Sequence, residues 1–349
     1  MKLIPFAGTL SLLFSVACSA ATSNADTLVS SAVFTHEGSC KVGNAAPEGL
    51  PRFHAASISK LFTATVIMQL RDEARLSLRD PVSKYVPEFA GSRIDIEQLL
   101  IHTSGLRDRH RAEGRTSRAQ WDAYILELAK QPLANEPGAQ WAYSDAGFNL
   151  LGRVIENVSG GKPYADVLKQ RLLDPLEMTA STFEISQVPE AQRVRASDKN
   201  GLALEHPWDV VFLASSGLQT DARDLAKFGR EMLVIAAGHK GHGVLRAETL
   251  REMTSVRVST QWAGVSQGYG WQLEGVGADS RWRHAGGERG FESLLILYPA
   301  EDFGVVVMGN RKDWGRFERA SALATEARAT CLPSAARKAA YMLPALTSP

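Results

Sequence analysis

The chain of 349 residues is poor in cysteine, with three, and has almost no excess of either charge. Its 39 Lys and Arg nearly balance its 38 Asp and Glu, so the formal net charge is +1. Such a balance gives no electrostatic reason to expect a nucleic-acid partner or a strongly acidic one. The sequence also lacks the G-x-S-x-G, H-E-x-x-H and phosphate-loop signatures, which argues against an α/β-hydrolase, a zincin and a nucleotide-binding enzyme.

No metal site or other cofactor is expected from the sequence. His239 and His242 in the segment HKGH offer two possible metal ligands. A metal site usually needs a third or fourth ligand, and no supporting one is found. We therefore predict a loop at this segment and no cofactor for the protein.

A long apolar run is confined to the N-terminus, where residues 1–20 read MKLIPFAGTLSLLFSVACSA. Lys2, a short apolar run and small residues follow in the order of a secretory signal peptide, and the run is too short for a comfortable permanent anchor. The segment SVAC also resembles a bacterial lipobox, in which Cys18 would be lipidated and attach the protein to a membrane. Cleavage after Ala20 is the alternative. Both predict an exported protein, either periplasmic or lipid-anchored to the outer membrane.

Export makes disulfide bonds possible, so the remaining cysteines become informative. When Cys18 is lipidated or removed, Cys40 and Cys331 remain. We predict that they form a disulfide that joins the N-terminal strand region to the C-terminal helix. Two free buried thiols are the alternative.

Strand patterns occur near both ends of the chain, with helical patterns between them. LVSSAVFTHEGSCKVG, near the N-terminus, reads as two strands and a turn. YGWQLEG, SRWRHAG, ESLLILYP and FGVVVMGN, in the last third, are short strands about ten residues apart, a spacing typical of an antiparallel sheet. Helices are predicted over residues 60–74, 121–130, 146–158, 164–173 and 221–237, with a last one in RFERASALATEARATC.

This arrangement predicts an α+β fold with two lobes. An antiparallel sheet built from both termini and flanked by helices would form an α/β lobe from residues 24–85 and 215–333. An all-helical lobe would comprise residues 86–214, and residues 334–349 would be a loose tail. The crevice between two such lobes is the default place for a site.

The segment FHAASISK contains two serines and a lysine at the start of the apolar helix. Residues three apart share a helix face, so Ser57 and Lys60 would be neighbours, whereas Ser59 points about 100° away from Lys60. At a helix N-terminus Ser57 could use Lys60 as its base and its own N–H as half of an oxyanion hole. Burial of Lys60 is expected to lower the pKa of its amine. The alternative is a helix-capping Ser57 and a Lys60 that reaches solvent.

Two distant segments add groups to this pair. EPGAQWAYSDAGFNLLGRVIE places Tyr143 in a turn just before a helix, from which a phenol can project into a cleft. RWRHAGGERGFESLLILYP places His284 on a strand, followed by Gly286 and Gly287, where backbone can approach a substrate closely. We expect the fold to bring a nucleophile, two candidate bases and an electrostatic partner together.

At these segments the chain resembles the penicillin-recognising serine hydrolases, which include class C β-lactamases, D-alanyl-D-alanine carboxypeptidases, and related esterases and D-aminopeptidases. SISK is similar to the family's SxxK motif, YSD to its Tyr-x-Asn motif, and HAG to its Lys/His-Thr-Gly motif, in the family's order. The resemblance extends over residues 53–311. It implies the β-lactamase and penicillin-binding-protein fold and an acyl-enzyme mechanism.

The resemblance also implies a role for each matching residue. Ser57 would be the acylated nucleophile, and Lys60 its activating base. Tyr143 would relay protons to the leaving group and is the alternative base, and His284 would stand beside its phenol. The N–H groups of Ser57 and Gly287 would form the oxyanion hole. Relatives leave open which group acts as the base in acylation.

Departures from the family pattern bear on the substrate. Asp145 stands where Asn is usual, and an ionised carboxylate only accepts hydrogen bonds. Ala285, just before Gly286 at the substrate-binding strand, lacks the hydroxyl that Thr contributes there, and His284 replaces the Lys of true class C β-lactamases. Asp145 and Ala285 disfavour an anionic substrate, although nearby arginines could compensate: Arg281, Arg283 and Arg289.

The sequence therefore favours an exported serine hydrolase acting on a small-molecule ester or amide. A D,D-carboxypeptidase or class C-like β-lactamase, with a peptidoglycan-derived or β-lactam substrate, is one alternative. A catalytically silent relative that binds cell-wall ligands is another. We expect His102, in the segment HTSG, to be a hydrogen-bonded framework residue and Ser59 to be an interior helix residue.

Overall fold

An eight-stranded antiparallel sheet organises the structure, a computed structural model that describes residues 28–40, 51–108, 117–204 and 212–332. The predicted signal peptide, the lipidation site Cys18 and the predicted tail from residue 334 lie outside these residues. No helix in the described ranges has the length and apolar character needed to cross a membrane.

Both ends of the chain contribute to this sheet, as the sequence predicted. The strands of the large sheet are β1 (Val29–Phe34), β2 (Ser39–Cys40), β7 (Val258–Ser259), β8 (Val265–Gln267), β9 (Gln272–Glu274), β10 (Arg281–Glu288), β11 (Phe291–Tyr298) and β12 (Phe303–Gly309). Their order in the sheet is β2-β1-β12-β11-β10-β9-β8-β7, so β1 pairs along its length with β12. Two small pairs are β3 (Phe53–His54) with β6 (Gln219–Thr220) and β4 (Ala196–Ser197) with β5 (Ala203–Leu204).

Helices cover both faces of the large sheet. The helices of the described residues are α1 (Ser59–Asp72), α2 (Ile96–Leu100), α3 (Arg118–Ala129), α4 (Asp145–Val158), α5 (Tyr164–Leu168), α6 (Leu213–Ser216), α7 (Ala222–Ala236), α8 (Ala247–Met253) and α9 (Arg316–Thr330). Asp221 caps α7 by accepting a hydrogen bond from the N–H of Asp224 at 2.9 Å. The predicted helix over residues 164–173 is α5 followed by a π-helical turn, Lys169–Leu173.

Alternation along the strands separates two apolar cores. On β11, Leu295 and Leu297 face the larger core, which includes most of α1 and α7. Leu294 and Ile296 face a smaller core with Phe317 and other residues of α9. The sheet therefore lies between α9 on one face and α7 on the opposite face, which confirms the α+β prediction.

The helix α1 is the centre of the larger core. Its residues from Ser59 to Met68 are all buried, and its sequence is apolar on nearly every face. Between residues 53 and 68, Ser57 alone is partly exposed. The fold therefore buries the whole segment around one serine and leaves that serine accessible.

A disulfide joins the two ends of the described chain. Cys40 on β2 is bonded to Cys331 just after α9, with the Cα atoms 6.1 Å apart. This bond is the pairing that the sequence predicted.

Candidate active site

Ser57 lies on a short 3-10 turn, Ala56–Ile58, directly before α1. The α-helix begins at Ser59, two residues later than a helix starting at Ser57 would. Side chains three positions apart eclipse in a 3-10 turn, so the neighbour relation expected for Ser57 and Lys60 still holds. Their Oγ and Nζ atoms are 3.2 Å apart. Ala56 has a left-handed φ of +49°, a strained conformation for a residue with a Cβ, just before the exposed serine.

Ser59, the other serine of SISK, has a structural role. Its hydroxyl donates a hydrogen bond to the carbonyl of Ala56 at 2.7 Å and accepts one from the N–H of Leu218 at 3.0 Å. It is fully buried, so it ties the Ser57 turn to the chain before β6.

Lys60 is fully buried, and its ammonium group donates three hydrogen bonds. It donates to Ser57 Oγ, to Asp145 Oδ1 at 2.5 Å and to the carbonyl of Ser215 at 2.9 Å. Burial lowers the pKa of Lys60, but the charge and hydrogen bond of Asp145, aided by Tyr143, more than offset it and raise that pKa above its usual value. The expected lowering was therefore wrong, because the local sequence shows the burial of Lys60 but not the distant carboxylate that meets it.

Tyr143 faces both members of this pair. Its ring centroid is 4.9 Å from Lys60 Nζ, and the side chains of Lys60 and Ser57 lie close enough to influence the pKa of its phenol. Burial raises the pKa of Tyr143, and the positive charge of Lys60 partly counters that effect. The structure thus brings together the three groups that the SISK and YSD segments predicted.

His102 supports the phenol from behind. Its ring stacks on Tyr143 at a centroid distance of 4.5 Å, and its Nδ1 accepts a hydrogen bond from the N–H of Ser144 at 3.1 Å. Burial, followed by the charge of Lys60, holds the pKa of His102 well below its usual value. A neutral, hydrogen-bonded ring that touches no reacting atom fits the expected framework role.

Asp108 holds the turn that carries Tyr143 and Asp145, and sequence reasoning missed it. Its carboxylate accepts hydrogen bonds from the Ser144 hydroxyl at 3.1 Å and from the N–H groups of Asp145 and Ala146, both at 2.8 Å. These N–H groups begin α4, where an acidic group is favourable. Acidic side chains commonly cap helix N-termini. The sequence did not point to Asp108 as this cap because Asp108 lies far from α4 along the chain.

His284 contributes a neutral imidazole at the opposite wall. It is fully buried on β10, its ring centroid is 6.4 Å from that of Tyr143, and its Nδ1–H donates to the carbonyl of Ala285 at 2.8 Å. Burial, followed by the charge of Lys60, lowers the pKa of His284 to about 3. The ring is therefore uncharged at neutral pH, unlike a lysine at this position.

Gly286 lets β10 approach the Ser57 turn. A Cβ there would lie 2.3 Å from the carbonyl oxygen of Ala55 and 2.3 Å from Oγ of Ser293, so a larger residue would push the strand away. β9 pairs with β10 only at residues 281–283, so no strand among the described residues pairs with that edge of β10 over residues 284–288. Gly287, the expected oxyanion-hole residue, is exposed on this part of the strand.

Ala285 and Arg283 lie on the other face of β10. The methyl group of Ala285 packs against the α9 core. Arg283 is fully buried and paired with Glu274, whose Oε1 is 2.8 Å from its Nη2; Arg281 lies on the same face, 3.8 Å from Glu274. The possible compensation by Arg281 or Arg283 is therefore wrong, because both face away from Ser57. Arg289 lies in the exposed turn after β10.

Trp262 adds an aromatic wall that sequence reasoning also missed. It lies at the tip of the β7–β8 hairpin, with ring centroids 5.8 Å from Tyr143 and 4.9 Å from Trp141. Gln261 anchors the tip by donating to the carbonyl of Trp141 at 3.4 Å. β7 and β8 have two and three residues, too few for a recognisable strand pattern.

This fold, with an accessible serine beside a buried lysine and a tyrosine, defines a serine hydrolase of the β-lactamase and penicillin-binding-protein type. The family model described as Beta-lactamase matches residues 45–329, so the chain belongs to the β-lactamase family. The protein is accordingly a β-lactamase-related serine hydrolase.

Individual relatives agree with this assignment. The chain is 25% identical over 308 residues to the D-alanyl-D-alanine-carboxypeptidase/endopeptidase AmpH of Escherichia coli (strain K12), an alignment that covers 83% of this chain and 79% of that protein. A D-stereospecific amidohydrolase from Streptomyces sp. matches at 27% identity with a TM-score of 0.65, covering 86% of this chain and 92% of that one. A class C β-lactamase shares the fold at 19% identity with a TM-score of 0.72, covering 85% and 90% of the two chains.

Proposed function

We propose that the protein is an exported serine hydrolase that cleaves neutral esters or amides through an acyl-enzyme on Ser57. The observation that carries the proposal is the position of Lys60, whose Nζ lies within hydrogen-bond distance of Ser57 Oγ at 3.2 Å and Asp145 Oδ1 at 2.5 Å. A nucleophile beside a base that has its own proton acceptor is the arrangement that activates serine. The signal-like N-terminus supports export.

Acylation begins with a proton transfer from Lys60 to Asp145, because the resting ammonium has no lone pair to accept a proton. The neutral amine then takes the Ser57 proton as Oγ bonds to the substrate carbonyl carbon. The N–H groups of Ser57 and Gly287 receive the developing oxyanion. When the intermediate collapses, Tyr143 gives its proton to the leaving group and regains one from Lys60. Protons balance, and Ser57 carries the acyl group.

Deacylation uses the same groups in reverse. Tyr143 passes its proton to the neutral amine of Lys60 as it takes one from the attacking water, and Lys60 gives that proton to Ser57 Oγ as the acyl bond breaks. Asp145 then returns its proton to Lys60, which restores the resting state. His102 and His284 remain neutral, so they shape the site around the phenol without competing for these protons. Such general acid–base transfer contributes about 10²- to 10⁴-fold to a rate.

The charges around Ser57 support a neutral substrate. His284 is uncharged where class C β-lactamases have lysine, and Asp145 adds a carboxylate beside Lys60. Arg283 is buried against Glu274 on the far face of the sheet and offers no charge to a substrate. A β-lactam or a peptide carboxylate would therefore find no cationic replacement among these residues.

Covalent labelling tests the nucleophile. A fluorophosphonate probe should label the wild-type protein, and Ser57→Ala should abolish the labelling, as followed by mass spectrometry. Ser59→Ala is the matched control from the same motif and should still be labelled. Labelling of Ser57→Ala at the wild-type rate would refute the assignment. The same proteins are then assayed with p-nitrophenyl esters, a cephalosporin and a D-amino-acid amide.

Asp145→Asn tests the proton acceptor. Asparagine preserves the shape but cannot take the proton of Lys60, so kcat for a neutral ester should fall about tenfold or more, within the range of general-base effects. Turnover of an anionic cephalosporin should fall less or rise, because a negative charge is removed from the site. An unchanged kcat for the ester would contradict the role of Asp145.

A D,D-carboxypeptidase is the second candidate, and the similarity to AmpH favours it. Release of D-alanine from a D-alanyl-D-alanine peptide at rates above those for neutral esters would support it over an esterase. Failure of every substrate, despite labelled Ser57, would favour a cell-wall-binding relative instead.

A further inference from the structure

Arg316, the first residue of α9, reaches across to the strand beside the site. Its Nη1 donates a hydrogen bond to the carbonyl oxygen of Gly286, and a Cβ added to Gly287 would lie 3.7 Å from the same nitrogen. The Arg316 side chain is 17% exposed, and Glu292 Oε1 is 3.9 Å from Nη1. The largely buried guanidinium of Arg316 is therefore closer to the carbonyl oxygen of Gly286 than to the carboxylate of Glu292.

The carbonyl of Gly286 and the N–H of Gly287 belong to one peptide group. The peptide bonds of the described residues are all trans, so this C=O and N–H point in opposite directions. Arg316 approaches the oxygen from the α9 face, while the opposite face of β10 packs at Gly286 on Ala55 and the Ser57 turn. The N–H of Gly287 is thus directed away from the carbonyl that Arg316 binds.

We propose that Arg316 is a positioning residue that polarises the Gly286–Gly287 peptide and so strengthens Gly287 N–H as an oxyanion-hole donor. A cation bonded to a carbonyl oxygen draws electron density from the amide nitrogen, and hydrogen bonds in such a chain reinforce each other. The inference rests on the proposed function, since it requires an oxyanion to form at Ser57. It assigns α9 a part in catalysis without contact with the substrate.

Arg316→Met removes both the charge and the donor. We expect kcat and kcat/KM for a neutral p-nitrophenyl ester to fall together by about tenfold, less than the 10²- to 10³-fold for removing an oxyanion-hole donor outright. KM should stay within about twofold, since the lost interaction acts only in the transition state. A phenylboronic acid, which forms a tetrahedral adduct on serine, should bind more weakly by the same factor. Arg316→Lys keeps the charge and should recover part of the loss.

Arg328→Met is the matched control, because Arg328 is on the same helix and pairs with Glu301 away from the site. It should leave kcat unchanged. A kcat of Arg316→Met within twofold of wild type would overturn the inference. So would a raised KM at constant kcat, which would make Arg316 a substrate contact. If Arg316→Met does not fold, Arg316→Gln decides by the same measurements.

Failure of the proposed function itself has a separate signature. In that case Ser57→Ala would keep its labelling and its turnover. If Ser57→Ala loses both and Arg316 variants retain full kcat and boronate affinity, only the role of Arg316 is refuted.

Discussion

The two faces of β10 each bury a cation, but they use it differently. Lys60 lies against the face that carries His284 and contacts groups that can gain or lose a proton. Arg283 lies on the α9 face, pairs with Glu274 and sits 5.3 Å from the ring centre of Phe317. A lysine amine can lose its proton in a protein site, whereas a guanidinium stays charged. One face is therefore suited to chemistry and the other to structure.

The partners of the two cations follow the same division. Lys60 is surrounded by a hydroxyl, a carboxylate and a phenol that reach the cleft, so its charge can move during a reaction. Burial lowers the pKa of Arg283 and Glu274 opposes that effect. The comparison teaches that burial alone does not identify a functional cation; the protonation chemistry of its neighbours does.

The largest expected effect is on the Lys60 face. Lys60→Met keeps the length and bulk of the side chain but removes the amine, so kcat for a neutral ester should fall about 10³-fold. Stopped assays with purified protein and a thermal unfolding curve should show lost activity in a folded protein. A loss below tenfold would mean that another group activates Ser57.

The α9 face should show the opposite pattern. Glu274→Gln leaves the buried guanidinium of Arg283 without its anion and should lower the free energy of unfolding by about 3 to 5 kcal/mol. Urea titration measures this change, while kcat of the folded enzyme should be unchanged. Glu326→Gln, at an exposed position of α9, is the control and should have little effect. If Glu274→Gln lowered kcat and left the free energy of unfolding unchanged, the α9 face would have a catalytic role and the comparison of the two faces would fail.

The imidazole of His284 should make stability depend on pH. Its folded pKa of about 3 lies below the usual 6.5, so the folded state resists protonation and the unfolded state accepts it. Stability is then full above about pH 6.5 and is lost as the pH falls toward 3, with a slope up to about 1.4 kcal/mol per pH unit for one histidine. His102 adds to the slope in the same direction.

His284→Asn should reduce that slope in urea titrations between pH 6.5 and 4. The exposed His239→Asn is the control and should leave it as in the wild type. An equal slope in the wild type and His284→Asn would show that the ring is not held neutral.

The smallest expected effect is at the aromatic wall. Trp262→Ala should raise KM for naphthyl esters about fivefold, since an aromatic contact is worth about 1 kcal/mol. kcat for a small acetate ester should hardly change, because Trp262 donates no proton. An equal KM for naphthyl and methyl esters in both proteins would show that the hairpin tip does not contact the substrate.

Much of the fold follows from local patterns. The segments that became β9 to β12 were recognisable because they are short and recur about every ten residues, and the segment that became α1 because it is a long apolar run. The strands β3 and β6 were not, since two residues carry no period and their pairing depends on the tertiary fold. The same limit hid the β7–β8 hairpin and with it Trp262.

In the site, too, residues in local motifs could be predicted from the sequence, whereas contacts between distant residues could not. Ser57, Lys60, Tyr143 and His284 were found from motifs that keep their spacing along the chain. The raised pKa of Lys60, the cap supplied by Asp108 and the contact from Arg316 were not, because each depends on a residue brought close only by folding.

The position of β1 has a consequence for biosynthesis. β1 lies between β2 and β12 in the sheet, although β12 is synthesised long after β1. The β1–β2 hairpin must therefore wait for the helices and most of the other strands to be synthesised before β1 can pair with β12. Such distant pairing is slow to form, so a chaperone has a long interval in which to hold the nascent chain unfolded.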